Sequence, residues 1–175
     1  LPLLCRVIHT TADFSYRDTL TITDGAVEKA KEAIRRGLPI ITDTTMAASG
    51  INKTAAGKFG IEVHCFIGDE DVKAKAKESG MTRSAVSVEK AAGCYPECIY
   101  AVGNAPTALM RLYELIEEKK IRPALIIGVP VGFVNVVEAK ELIMTAGIPY
   151  IVPKGRKGGS NIAATICNAM LYYKG

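Results

Sequence analysis

The chain has 175 residues, enough for one domain that buries roughly 70% of its unfolded surface. Hydrophobic residues make up 49% and mean hydropathy is +0.17, yet no apolar run approaches the ~20 residues of a membrane span; a buried subunit interface accounts for the excess better than a bilayer does. The net charge of +4, from 22 Lys+Arg against 18 Asp+Glu, comes without the basic clusters and interleaved aromatics of a nucleic-acid surface, and it suits an acidic small molecule.

Residues 1–12 read as the end of a helix with Leu4, Val7 and Ile8 at core spacing. A start at Leu1, inside a helical pattern and without methionine, predicts a segment upstream; no signal peptide is visible. Residues 19–23 form a β-branched run. Asp24-Gly25 then opens an amphipathic helix through Ala26, Ala30, Ala33 and Ile34, closed by Gly37. Residues 39–42 are the next strand, 52–57 a short helix and 61–67 a strand rich in β-branched and aromatic residues. Asp69-Glu70-Asp71 starts a helix with acids first and Lys73, Lys75 and Lys77 later, as the helix dipole favours. A helix over 81–92 follows.

Three strand–loop–helix units complete the chain, with strands at 98–102, 124–128 and 150–152 and helices at 105–119, 134–145 and 160–173. Such alternation predicts an α/β, three-layer α/β/α domain over 1–175 with a mostly parallel sheet. The last helix is apolar or small nearly all round, which predicts burial in the core or at a contact between copies. Five scattered cysteines, an odd count, suit a reducing cytoplasm. Cys94 and Cys98 have a metal-like spacing, but no nearby ligands complete a set of four, so no metal is predicted.

The loops carry the chemistry. Gly103-Asn104-Ala105-Pro106-Thr107-Ala108, Gly128-Val129-Pro130-Val131-Gly132-Phe133 and Gly155-Arg156-Lys157-Gly158-Gly159-Ser160 each follow a strand and lead into a helix. Strand carboxyl ends are where open α/β sheets bind ligands, and helix N-termini there favour anions. Each loop also reads as a turn and nothing more. Asp43, Thr44 and Thr45 end another strand, either to reach a ligand or to cap a helix. Arg6, His9 and Asp13 fall on one helical face opposite Leu4 and Ile8, an arrangement that suits proton donation as well as a solvated helix end. His64, alternating with Glu62 and Phe66 in a strand, reads as structural. No dinucleotide fingerprint or P-loop is present.

Arg6-Val7-Ile8-His9-Thr10-Thr11-Ala12-Asp13-Phe14 resembles the active-site segment of the precorrin-8X methylmutases of cobalamin biosynthesis. Pro39-Ile40-Ile41-Thr42-Asp43-Thr44-Thr45-Met46 and the three glycine loops resemble that family in the same order, from Arg6 to Ala169. The resemblance implies a flavodoxin-like homodimer whose pocket takes residues from both subunits. It implies an isomerase that moves a methyl group from C11 to C12 of a corrin precursor, needing no cofactor, with His9 as the catalytic histidine. The alternative is a tetrapyrrole-binding carrier without chemistry, and a weaker one a flavodoxin-like nucleotide enzyme.

The same resemblance suggests the contacts. Arg17, Arg111, Lys154 and Arg156 would meet the substrate's carboxylates, and Pro130, Val131 and Phe133 would wall the ring face. Arg6, Thr10, Asp13, Asp43, Thr44 and Met46 would line the pocket from the first half of the chain. Asn104, Ala105, Thr107, Gly158, Gly159 and Ser160 would do so from the second half. The segment expected before Leu1 would add further contacts.

Overall fold

In the computed structural model, which describes residues 2–173, successive residues of the central strands enter two separate cores. The expectations for Leu1, Lys174 and Gly175 lie outside the described residues. In chain order the elements are α1 (Pro2–Thr11), α2 (Tyr16–Thr19), β1 (Leu20–Ile22), α3 (Ala26–Arg35), β2 (Ile40–Thr42), α4 (Thr45–Gly50), α5 (Lys53–Gly57) and β3 (Val63–Cys65). Then come α6 (Glu70–Ser79), α7 (Arg83–Cys94), β4 (Ile99–Val102), α8 (Pro106–Glu117), β5 (Leu125–Gly128), α9 (Val136–Ile143), β6 (Tyr150–Pro153) and α10 (Ser160–Leu171).

The sheet order is β1-β6-β5-β4-β2-β3. All pairs are parallel except β1 with β6, which runs antiparallel with Leu20 opposite Pro153. Without β1, the order is that of the flavodoxin-like sheet, and its winding reverses between β2 and β4. In register, Ile40, Ile99 and Leu125 face the core under α1, α3, α4, α5 and α10. Ile41, Tyr100 and Ile126, one residue on, face the core under α6, α7, α8 and α9. A sheet covered on both faces gives three layers, as the alternation of elements predicts.

The chain leaves β2 for one face, toward α4, and leaves β4 for the other, toward α8. A crevice therefore opens at the carboxyl ends of these two strands.

Several local expectations change. The helix over 1–12 stops at Thr11, because Ala12 adopts a left-handed φ of 53°; Leu3 and Val7 are its fully buried residues, and Leu4 and Ile8 pack half-buried against the same core. The sequence pattern predicts no helical turn at α2 or α4; α2 forms where Tyr16 drops into the core at 3% exposure. The helix expected from Val134 starts at Val136, after Asn135 turns left-handed at φ 59°.

The apolar α10 is buried by its own chain, packing on α1, α4 and the sheet. Its Ile162, Ile166, Met170 and Leu171 each contribute roughly 1.5–3 kcal/mol of burial. Its apolar character is thus no argument for a partner. Among the described residues, no helix is long and apolar enough to cross a membrane.

Candidate active site

Four strand ends meet at the first turn of α10. Thr44, after β2, accepts from the Ala47 N–H to cap α4 (3.1 Å) and shares a hydrogen bond with Ser160 Oγ at 2.7 Å. Gly103, after β4, lies so close that a Cβ there would be 2.6 Å from Ser160 Cα. Gly158 packs on the turn after β5, where a Cβ would sit 2.1 Å from the Val129 carbonyl oxygen. Gly159 N–H donates to that same carbonyl at 2.8 Å. The exit of α1 joins them through Lys157, whose Nζ donates to Asp13 (2.5 Å) and to Ser15 Oγ (2.9 Å).

Asp43 does not face a ligand. At 2% exposure its carboxylate accepts from the N–H groups of Gly103 (2.7 Å), Asn104 (2.9 Å) and Ala105 (2.8 Å). Burial pushes its carboxyl up, and the three donors act against that shift. The Gly103 turn is therefore an anion site filled from within. Asn104 is exposed at its rim, Ala105 is buried as the N-cap of α8, and Thr107 Oγ1 accepts from Thr82.

The turn between β6 and α10 is different. Lys154 and Arg156 stand exposed on it. Around this rim Met46 is 70% exposed, Val131 44% and Phe133 86%, whereas Pro130, expected in the apolar wall, is buried. Large exposed apolar side chains on one edge mark a surface that something covers.

Two expected cations go elsewhere. Arg111 is held between Glu89 of α7 (2.9 Å) and Glu114 (2.5 Å). Arg17 pairs with Asp18 at 2.9 Å on the surface.

His9 is exposed near the end of α1, in a groove of about 440 Å³ lined by Cys5, Arg6, Thr10, Thr165, Asn168 and Tyr172. Thr10 and Thr165 share a 3.2 Å hydrogen bond, and the Arg6 guanidinium lies 5.0 Å from the Tyr172 ring centre. This groove is walled by α1 and α10 with Tyr172, and none of its lining comes from the glycine turns. Asp13 lies beyond the helix and is engaged by Lys157, so the expected face of Arg6, His9 and Asp13 does not form. His64 is structural in its surroundings, bonded to Glu62 (2.9 Å) and stacked on Tyr95 with ring centres 4.6 Å apart.

Residues missed in the sequence are Phe14 and Val134, 77% and 76% exposed at this rim, and Lys140. Lys140 had a signal: it occupies an apolar position in the spacing Val136, Ala139, Lys140, Ile143.

The model of the family described as precorrin-8X methylmutase matches residues 1–173. The chain belongs to this family. It is a methylmutase, an isomerase enzyme, which sets the carrier reading aside. The cobalt-precorrin-8 methylmutase of Leptospira interrogans is 44% identical to this methylmutase over 174 residues, covering 95% of this chain and 79% of the relative. That of Salmonella typhimurium is 45% identical over 172 residues, covering 98% and 80%. The structure of the precorrin-8X methyl mutase from Thermus thermophilus superposes with a TM-score of 0.90 at 40% identity, over 97% of this chain and 83% of that one.

Proposed function

We propose that this methylmutase moves a methyl group from C11 to C12 of precorrin-8X or cobalt-precorrin-8, with His9 as the proton donor. The observation that carries the reading is the convergence of four strand ends and the α1 exit on the first turn of α10. That rim offers Lys154 and Arg156 for rim carboxylates and the exposed Met46, Val131 and Phe133 for an apolar ring face. An acidic macrocycle needs both. The two relatives named above are cobalt-precorrin-8 methylmutases, which supports the cobalt-containing ring as the substrate.

Moving a methyl between neighbouring carbons of one conjugated molecule conserves atoms and electrons. The protein's part is to hold the ring still and to place a proton where it polarises the conjugation. His9 is exposed and free to do this, but the groove it lines is separate from the glycine turns of its own protomer. We therefore take the working unit to be a homodimer in which His9 of one copy reaches the ring held by the turns of the other. The exposed Phe14, Phe133 and Val134 give a second copy an apolar surface to cover. The described cysteines, Cys5, Cys65, Cys94, Cys98 and Cys167, are all free, which supports a reducing cytoplasm.

His9→Ala is expected to abolish turnover and to leave binding of the corrin product largely intact, followed in the visible spectrum. Near-normal turnover in that variant removes His9 as proton donor.

A further inference from the structure

Lys140 stands in the core-facing stripe of α9 with 1% of its surface exposed. Among the described residues no carboxylate meets it. Its Nζ donates instead to two backbone carbonyls of the turn between β6 and α10, Gly155 O at 2.8 Å and Lys157 O at 2.7 Å. Burial pulls its ammonium down to about 8. A methionine would fill this space without the penalty of burying an unpaired charge. The lysine therefore has a use that packing does not explain.

That use follows from peptide geometry. In a trans peptide the C=O and the N–H point in opposite directions. Drawing the carbonyls of residues 155 and 157 inward to Lys140 turns the N–H groups of Arg156 and Gly158 outward. The peptide between them is fixed as well, since the Arg156 carbonyl accepts from Gly132 N–H at 3.2 Å. Gly159 N–H is spent on Val129 O at 2.8 Å. Among the described residues the Arg156 and Gly158 N–H groups donate to no protein acceptor. The Gly103 turn presents the same kind of donor cluster, but there Asp43 supplies the anion from inside the protein.

We propose that Lys140 is a positioning residue. It holds the peptides 155–156 and 157–158 so that two outward N–H groups, with the exposed Arg156 side chain, receive one carboxylate of the tetrapyrrole substrate. This rests on the methylmutase reading above.

Two measurements test it. Lys140→Met is expected to raise KM about tenfold, the loss of one charge-assisted contact, while kcat stays within about threefold. A KM left unchanged, with or without a fall in kcat, overturns the inference. The second measurement needs no variant and decides the matter if Lys140→Met does not fold. Amide hydrogen exchange in the native protein is followed by NMR with and without the corrin product, cobyrinic acid for the cobalt-containing ring and hydrogenobyrinic acid for the metal-free one. The product is expected to slow exchange at Arg156 and Gly158 about tenfold or more. Product that shifts its visible spectrum on binding yet leaves both amides exchanging freely overturns the role of Lys140 and leaves the methylmutase reading standing. Product that does not bind at all overturns both.

Discussion

Gly158 has no room for a methyl group. A Cβ there meets the carbonyl oxygens of Val129 at 2.1 Å and Pro130 at 2.7 Å, and both are backbone atoms that cannot swing aside as a flexible side chain would. Gly155, three residues earlier, needs its glycine for a different reason: its φ is 85°, but open space surrounds it. Gly158→Ala is expected to push the turns after β5 and β6 apart and to cost about 1–3 kcal/mol, the range for overpacking a tight site. Thermal unfolding checks this; a midpoint lower by several degrees is the expected result. A midpoint equal to that of the native protein would show that the two turns slide freely, and the rim would then not be rigid.

Among elements, the tie between the exit of α1 and the β6–α10 turn sets where the segment after His9 can go. Its anchor is Asp13, whose carboxyl the Lys157 ammonium holds down from 3.8 to about 2, with Ser15 contributing through its side chain and N–H. A carboxyl whose pKa falls on folding adds stability above its unfolded value and loses it as pH drops through the folded one. The tie is therefore complete above about pH 4 and disappears between about pH 4 and pH 2. Urea midpoints of the native protein and Asp13→Asn are expected to differ above pH 4 and to converge as the pH falls to 2. Curves that stay parallel through this window would mean that the ion pair does nothing for the fold. Asp43 works inside the fold in the same manner, ending β2 and bridging the switch point of the sheet by binding the three amides that follow β4.

For the whole molecule, the proposed chemistry requires His9 and the glycine turns to share one substrate, although in a single chain the groove at His9 takes no lining from those turns. In a symmetric dimer each pocket would combine His9 from one copy with Arg156 from the other. Mixing His9→Ala with Arg156→Ala then restores one intact pocket in every mixed dimer. Random exchange makes half the dimers mixed, so about a quarter of native activity is expected to return when substrate is scarce. Arg156→Ala alone is expected to weaken binding more than the bound-state rate, because the proposal gives it a carboxylate away from the reacting carbon. No recovery on mixing would place both residues in the same copy's pocket.

The amino-acid order by itself determined the alternation of strands and helices, a mostly parallel three-layer sheet and the positions of the glycine turns; the flavodoxin-like strand order was implied only by the family resemblance. These are short-range matters. Period-two and period-3.6 burial can be read over a few residues, and Gly and Pro stop each element locally. Only the tertiary structure decided which of those turns and cations are already engaged by partners within the chain. Asp43 closes the Gly103 turn from 60 residues away, Glu89 takes Arg111 from 22 residues away, and Lys157 reaches Asp13 across 144. Lys140 donates to two carbonyls of the turn between β6 and α10, at a position where its spacing predicts only an apolar contact. Partnerships of this kind depend on how the layers stack, and no local pattern in the chain encodes them.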